Sequence, residues 1–199
     1  VTVLDNLSHG HRAAVDPRAG LYVGNVGDRD CVRSVLRDER IEAVMHFAAD
    51  IEVGESVVDP GKYYRNNFGS SIVLLEGMRE SGVNRLVFSS TAAVYGNPTT
   101  VPIEEDEPRA PINPYGRSKM MVEMAIEDFS RAHGLGYAIL RYFNVAGASP
   151  DGTIGEDHRP ESHLIPRILA AARESTPEAK IFGTNYPTRD GTCVRDYIH

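Results

Sequence analysis

Short apolar runs alternate along the chain with stretches in which apolar residues recur at helical spacing. The runs predict buried strands at 1–4, 21–24, 43–49, 85–90 and 136–143. The helical spacing predicts helices at 29–38, 62–82 and 114–133. Strands that alternate with helices are typical of βαβ units with right-handed crossovers, so the pattern predicts an α/β fold with a doubly wound parallel sheet.

Local signals mark the ends of two of these helices. Asn113 is a suitable N-cap for the helix at 114–133, Pro114 suits its first position, and Gly134 follows its last residue. Gly82 is the expected stop of the helix at 62–82. These signals place the first turn of the later helix directly after Asn113.

The strict alternation weakens from Gly147 onward. One more helix is predicted near 162–174, with short strands near 180–182 and 193–198. We therefore predict two domains, a ligand-binding α/β domain over 1–147 and part of a smaller, substrate-binding region over 148–199.

Composition narrows the classes of function. The 199 residues are 41% hydrophobic and 25% charged, and 28 acids against 21 bases give a net charge of −7. An acidic chain without a basic stripe argues against nucleic-acid binding. No apolar run approaches the ~18 residues of a membrane span. Without an N-terminal signal pattern, and with only Cys31 and Cys193 as cysteines, we expect a reduced, cytoplasmic protein with no disulfide framework.

The end of the first predicted strand raises a question about the fold. Dinucleotide-binding folds place an acid at the end of the second strand, ~20 residues after a glycine-rich phosphate loop. Asp5 has this position after a strand, but only four residues precede it. Either Asp5 is a turn residue, or the chain lacks the first strand, the loop and the first helix, and we favour the second interpretation. We then expect two facing sheet edges, and a 199-residue chain that neither holds a dinucleotide nor turns over substrate.

Other candidate ligand contacts follow the later strands. Asp28 could accept a hydrogen bond from an adenine amine, and it could equally cap the helix at 29–38. Ala48 and Ala49 would let the backbone approach a ligand, although tight packing explains them as well. Asn66 lies in a helical stretch and could bind a ribose or a backbone group.

The stretch "PYGRSK" carries the candidate catalytic pair. Tyr115 and Lys119 are four residues apart and share one helix face. A phenol with its usual pKa of ~10 is a poor base, and a nearby cation lowers that pKa. The pair could therefore act as a general base toward an alcohol, with Thr91 at the preceding strand end hydrogen-bonding the same oxygen. Such pairs also occur by chance on surface helices, but the α/β context favours catalysis.

Two further clusters carry less weight. The stretch "GEDHRPESH" brings together Asp157, His158, Glu161 and His163, but its spacing fits no zinc motif and Pro160 interrupts it, so no metal is expected. Cys193 has no evident base beside it and is interpreted as a packing residue.

Longer blocks resemble the extended short-chain dehydrogenase/reductases and, within them, the UDP-glucose 4-epimerase family. The blocks are "VLDNLSHG", "HFAADIEVGES", "YYRNNFG", "VFSSTAAVYG", "NPYGRSK", "LRYFNVAGA", "GEDHRPESHLIP" and "FGTNYPTRDGTCVRDYIH". The resemblance implies a Rossmann-like domain with a tightly held NAD that is reduced and reoxidised in each turnover. It also implies inversion at sugar carbon 4, which interconverts UDP-glucose and UDP-galactose through a 4-keto intermediate in galactose metabolism. We expect the full-length protein to be a homodimer.

The resemblance also assigns residues. Thr91, Tyr115 and Lys119 match the catalytic triad. The implied cofactor contacts are Asp5, Asn6, Asp28, Phe47, Ala48, Ala49, Asn66, Thr91, Tyr115, Lys119 and Phe143. The implied substrate contacts are Thr91, Tyr115, Asn144, His163, Leu164, Phe182, Arg195 and Tyr197. The chain departs from some members at Ile51, where they carry a phosphate-binding lysine, and at His163, where they carry asparagine.

Two alternatives remain open. A nucleotide-sugar 4,6-dehydratase performs the same oxidation but needs an acid–base pair beside the hydroxyl residue, where this chain has Ala92 and Ala93. A non-enzymatic NAD-binding protein of the same fold would usually lack the Tyr115–Lys119 pair. The chain could also be a catalytically silent NAD-binding fragment, which an assay of the isolated chain would decide.

Overall fold

The computed structural model describes residues 1–173, 178, 180–181 and 183–199. The chain divides into two compact units, Val1–Tyr142 and Phe143–His199. The predicted domain division after residue 147 stays a prediction. None of the described helices is both long and apolar enough to cross a membrane.

Five strands form the first unit, and every pair of neighbours runs parallel. They are β1 (Thr2–Asp5), β2 (Gly20–Val23), β3 (Val44–His46), β4 (Arg85–Thr91) and β5 (Gly136–Tyr142). β1 pairs with β2, and β3, β4 and β5 form a second sheet in that order. The prediction of an α/β fold with parallel pairing is confirmed. Within the described residues β1 and β3 share no hydrogen bonds, so an interruption lies between the two sheets, as expected.

Helices connect these strands. They are α1 (Arg29–Asp38), α2 (Val53–Val58), α3 (Pro60–Tyr63), α4 (Ser70–Ser81) and α5 (Pro114–His133). A π-helical turn at Tyr64–Gly69 joins α3 to α4, so the predicted helix at 62–82 is a helical stretch that widens in its first half. Short 3₁₀ turns occupy Arg12–Ala14 and Ala92–Tyr95. The sequence missed α2, which is too short to show a helical period.

The core of this unit fixes α5 against the β3–β4–β5 sheet. Val122 and Ile126 of α5 are buried, and they belong to the same apolar cluster as Leu86 and Phe88 of β4. Burial of each such side chain contributes about 1.5–3 kcal/mol, so the strand and the helix are held together before any polar contact is considered.

Two strands are shorter than the sequence predicted. β3 ends at His46 and not at residue 49, so Phe47, Ala48 and Ala49 follow the strand as irregular chain. β5 ends at Tyr142, and Phe143 begins the second unit. The apolar run continued past the hydrogen-bonded ladder in both cases, and an apolar run alone cannot show where pairing stops.

The second unit has little regular structure. β6 (Asn144–Val145) pairs in parallel with β7 (Tyr197–Ile198), and α6 spans Leu164–Ala172. β6 was not predicted, and the strand predicted at 193–198 is reduced to β7. The strand predicted at 180–182 is wrong for Lys180 and Ile181, which have no regular structure, while Phe182 lies outside the described residues.

Candidate active site

The first turn of α5 is set by its cap. The side chain of Asn113 accepts a hydrogen bond from the Gly116 backbone N–H at 2.8 Å, and Pro114 occupies the first turn. A Cβ at Gly116 would lie 2.7 Å from the carbonyl oxygen of Ala93. Only glycine lets the helix start so close to the turn that follows β4, and this approach brings Tyr115 to the end of β4.

Thr91 and Tyr115 meet at this point. Thr91 is the last residue of β4, and its Oγ1 accepts a hydrogen bond from the Ala93 N–H at 3.1 Å. Burial raises the pKa of Tyr115, while a hydrogen bond with Thr91 acts to lower it, and the net direction is upward. A phenol in this setting needs additional positive charge before it can serve as a base near neutral pH.

Lys119 lies one helical turn further along and is buried, with 3% of its surface exposed. Its Nζ donates to the backbone carbonyl of Ser89 at 2.9 Å and lies 5.0 Å from the centre of the Phe88 ring. Burial lowers the pKa of Lys119 to about 8. The structure thus brings the predicted triad together at the end of β4, where Tyr115 contacts Thr91 and Lys119 contacts the carbonyl of Ser89.

A buried histidine lies behind the lysine. Burial and the charge of Lys119 together lower the pKa of His46 to about 3, so its ring is neutral. His46 Nε2 lies 2.9 Å from Ser71 Oγ, in α4. The sequence analysis missed His46, since one histidine in an apolar run gives no signal beyond core packing.

Asp50 organises the π-helical turn. Asn66 Nδ2 donates to Asp50 Oδ2 at 2.9 Å, and Asn67 accepts from the Asp50 N–H at 2.8 Å. His9 Nε2 and Lys62 Nζ each lie 3.7 Å from Asp50 Oδ1. The predicted cofactor residue Asn66 is therefore anchored to a carboxylate that the sequence analysis did not single out, although Asp50 directly follows the two alanines that it did.

An open cavity of about 800 Å³ lies beside this turn in the first unit. Its polar lining includes Asn6, His9, Asn25, Asp28, Asp50, Lys62, Arg65 and Asn66. Three of the predicted cofactor residues, Asn6, Asp28 and Asn66, are thus brought to one cavity. The cations Lys62 and Arg65 were missed, because a charged residue at helical spacing resembles any solvated helix face.

The remaining cofactor candidates of this unit lie elsewhere. Asp5 does not line the cavity, and its Oδ1 accepts a hydrogen bond from the Leu7 N–H at 2.6 Å. Phe47, Ala48 and Ala49 are absent from the lining as well.

Asp28 also caps α1, because its Oδ1 accepts from the N–H groups of Asp30 and Cys31. The capping role foreseen for Asp28 is confirmed, and its contact with adenine stays a prediction.

The predicted substrate residues belong mainly to the second unit. Asn144 donates through Nδ2 to the carbonyl of Asp196 at 2.7 Å and is paired in register with Tyr197. Leu164 begins α6 and His163 is its N-cap residue. Arg195, Tyr197 and the cofactor candidate Phe143 are exposed, while Phe182 is outside the described residues. The ligand contacts of all these residues stay predictions.

The histidine-rich segment forms a compact cluster of Glu156, His158, Glu161 and His163. His163 Nδ1 lies 2.9 Å from a carboxylate oxygen of each glutamate, and His158 Nδ1 lies 3.5 Å and 3.7 Å from them. The sequence named Asp157 in place of Glu156, and that assignment is wrong because the cluster does not include Asp157.

This unit combines parallel strands and connecting helices with a tyrosine–lysine pair at a strand end and a polar cavity, an arrangement typical of α/β folds that bind a ligand at the ends of their strands. The chain matches the NAD dependent epimerase/dehydratase family over residues 1–199, and it belongs to that family. The resemblance inferred from the sequence blocks is confirmed.

Individual relatives agree with this assignment. UDP-glucose 4-epimerases of Lacticaseibacillus casei and Lactobacillus helveticus are 52% and 56% identical to the chain, each over all of it and over 60% of the relative. The crystal structure of UDP-glucose 4-epimerase from Brucella ovis in complex with NAD matches with a TM-score of 0.93 at 46% identity, covering 100% of this chain and 61% of that chain. The chain therefore spans about 60% of the length of these relatives.

Proposed function

We propose that the protein containing this chain interconverts UDP-glucose and UDP-galactose by inverting carbon 4 of the sugar. The observation that carries the proposal is the Tyr115–Lys119 pair, in which the lysine is buried and both residues contact the end of β4. The relatives named UDP-glucose 4-epimerase support it, as does the Bifidobacterium longum enzyme, solved in complex with NAD+ and UDP, at 37% identity and a TM-score of 0.94 over 62% of its chain.

The donor set of the cavity fits NAD. Carboxylate and amide groups of Asn6, Asn25 and Asp28 suit ribose hydroxyls and an adenine amine. Arg65 supplies positive charge for a diphosphate, which compensates for the apolar Ile51. Lys62, which also lines the cavity, is paired with Glu55 at 2.8 Å. We propose that these residues, with Asn66, hold the cofactor. When bound, NAD would take up a hydride from the sugar carbon and give it back to the 4-keto sugar.

The chain's own residues move the proton. Tyr115, as phenolate, removes the proton of the 4-hydroxyl, and Thr91 hydrogen-bonds the same oxygen and keeps it in line. The positive charge of Lys119 stabilises the phenolate against the upward pKa shift that burial imposes. Tyr115 returns the proton after the 4-keto sugar has turned its other face.

The nucleotide part of the substrate would be held by residues of the second unit. We propose this role for Asn144, His163, Leu164, Phe182, Arg195 and Tyr197. The planar guanidinium of Arg195 suits a diphosphate because it can donate two parallel hydrogen bonds. Strong binding of UDP would let the sugar rotate without leaving the site. A place in galactose metabolism, a cytoplasmic location and a homodimeric full-length protein complete the proposal.

The experiment uses a chimeric protein in which these 199 residues replace the matching part of the Lacticaseibacillus casei relative. We call this chimera the completed protein. It is incubated with UDP-glucose and the products are separated. UDP-galactose is the expected product. A 4-keto-6-deoxy sugar would identify a dehydratase, which the lack of acid–base side chains at Ala92 and Ala93 argues against. Absence of both products would overturn the proposed function.

A further inference from the structure

Glu123 is a fully buried carboxylate on the catalytic helix that the mechanism above does not use. None of its surface is exposed, and it lies four residues after Lys119 and eight after Tyr115, on the same face of α5. A buried charge survives only with partners, because desolvation of a lone carboxylate costs several kcal/mol. The hydrogen-bond partners of Glu123 therefore identify the elements that it joins.

Three elements supply these partners. Ser90 of β4 donates its hydroxyl to Glu123 Oε1. Arg141 of β5 donates through Nε to Oε1 at 3.1 Å and through Nη2 to Oε2 at 2.8 Å, a bidentate pair. Arg109, from the segment that leads into α5, donates to Oε2 at 3.1 Å. Burial acts to raise the pKa of Glu123, but the hydrogen bonds from Arg141, Ser90 and Arg109 outweigh it, so the carboxylate is ionised.

The contacts of α5 with β4 form a ladder. Tyr115 meets Thr91, Lys119 meets the carbonyl of Ser89, and Glu123 meets the hydroxyl of Ser90. Each successive turn of the helix is thus fastened to one of three consecutive strand residues.

Arg141 extends the same tie toward the segment between β4 and α5. It donates through Nη1 to the hydroxyl of Tyr95 at 2.8 Å and to the backbone carbonyl of Glu105 at 2.9 Å. Glu123 is therefore the shared acceptor that joins α5 to β4, to β5 and to this segment.

We propose that Glu123 is a positioning residue that holds α5 in register with β4, and thereby sets the contact of Tyr115 with Thr91. The inference rests on the proposed function, because it assigns the contact a role in the same proton transfer.

The first test is Glu123→Gln in the completed protein, which keeps the size of the side chain and removes its charge. The amide nitrogen of glutamine cannot accept from Arg141, so the bidentate pair is broken and a donor faces a donor, while the remaining amide oxygen can still accept a hydrogen bond. Turnover of UDP-glucose should fall about 10- to 100-fold, as expected for a small misplacement of reacting groups, while KM changes little. A fall in kcat/KM caused by KM alone would overturn the proposal.

The pH–rate profile distinguishes position from charge. The hydrogen bond with Thr91 acts to lower the pKa of Tyr115, so losing the register should raise that pKa and move the acidic limb of the profile to higher pH. If only the negative charge of Glu123 mattered, its removal would move the limb downward. A downward shift or an unmoved profile would therefore overturn the proposal. The titratable and charged groups facing Glu123 and Tyr115 are His46, Tyr63, Tyr95, Arg109, Lys119, Glu127 and Arg141.

Matched variants separate positioning from a loss of stability. Glu127→Gln removes a carboxylate that also pairs with Arg109 but is half-buried and one turn further on, so its profile should not move. Ile126→Val lowers core packing on the same helix without touching the ladder, and it too should leave the profile unmoved. If Glu123→Gln fails to fold, Ser90→Ala is the alternative, because it removes only the hydrogen bond from Ser90 to Glu123. It should shift the acidic limb of the pH–rate profile in the same direction by a smaller amount.

A readout without turnover keeps the two proposals distinguishable. Tyrosine labelled with carbon-13 at the ring Cζ reports the phenol pKa by NMR, and the spectrum of Tyr115→Phe identifies its signal. If the completed protein does not convert UDP-glucose, the proposed function fails, and the titration of Tyr115 still decides the role of Glu123. An upward shift of that pKa in Glu123→Gln supports positioning, and no shift or a downward shift contradicts it.

Discussion

Two regions of the first unit hold their polar side chains in different ways. At the β4–α5 contact, the side chains of Lys119 and Glu123 are buried and bound to partners far away in sequence. At the ends of β1 and β2, Asn6 and Asp28 are exposed and bond mainly to backbone N–H groups two or three residues away.

The two regions therefore differ in what fixes their side chains: long-range contacts at the β4–α5 contact, and short-range hydrogen bonds at Asn6 and Asp28. The catalytic pair is held in place by tertiary contacts within the chain, so its geometry exists before a ligand arrives. Asn6 and Asp28 beside the cavity are placed by local turns, whereas Asn66 in the same lining is held by Asp50. The predictions below test first the fixed region and then the local one.

Tyr115→Phe should have the largest effect. The change removes only the phenol oxygen, and general acid–base groups contribute about 10²- to 10⁴-fold to turnover. Turnover of UDP-galactose by the completed protein measures the loss. Tyr137→Phe in β5, an exposed tyrosine of the same unit, is the control and should retain activity. A loss of less than about tenfold would show that Tyr115 is not the base.

Lys119 should give the fixed region a pH-dependent stability. Its pKa is about 8 in the folded protein against 10.5 for an ordinary lysine. Between these values the unfolded chain binds more protons, so stability rises with pH through this window, by at most roughly 3 kcal/mol.

Urea unfolding of the cofactor-free completed protein through that pH window measures the gain. Lys119→Met should abolish the rise, and Lys180→Met should retain it because Lys180 is exposed. Equal pH slopes in the native protein and in Lys119→Met would show that the lysine is not buried as described.

Arg65→Met tests the local region. If Arg65 faces the diphosphate, its loss removes a charge-assisted hydrogen bond worth about 1.5–3 kcal/mol, and NAD should bind about tenfold or more weakly. Calorimetry on the completed protein gives the affinity. Arg18→Met is the matched control, since Arg18 pairs with Asp16 and does not line the cavity. Equal affinity in both variants would remove Arg65 from the cofactor site.

The smallest effect is expected at Asp28. Asp28→Ala removes the N-cap of α1 and should destabilise the protein by about 1 kcal/mol, whereas Asp28→Asn keeps a good cap. Unfolding experiments on both variants without a ligand measure the contribution of the cap alone. If Asp28→Asn were as destabilised as Asp28→Ala, the capping bonds would not account for the role of Asp28.

Features with local causes could be predicted from the sequence. α1 and α5 have the predicted bounds because Asp28, Asn113 and Gly134 mark their ends through contacts within a few residues. The Tyr115–Lys119 pair follows from helical geometry alone.

Features with distant causes could not be predicted. Glu123 lies at a position that resembles a solvated helix face, and its burial depends on hydrogen bonds from Ser90, Arg109 and Arg141. The widened turn around Asn66 depends on Asp50, which precedes it by sixteen residues. The interruption between β1 and β3 was foreseen from the position of Asp5, but the exact ends of β3 and β5 were not.

The most direct test of the central claim follows one hydrogen atom. UDP-galactose carrying deuterium at carbon 4 is given to the completed protein in ordinary water, and the product is examined by NMR and mass spectrometry. The account predicts UDP-glucose that keeps the deuterium at carbon 4, because Tyr115 exchanges only the hydroxyl proton. A product with solvent hydrogen at carbon 4, or a 4-keto-6-deoxy sugar in place of UDP-glucose, would contradict it.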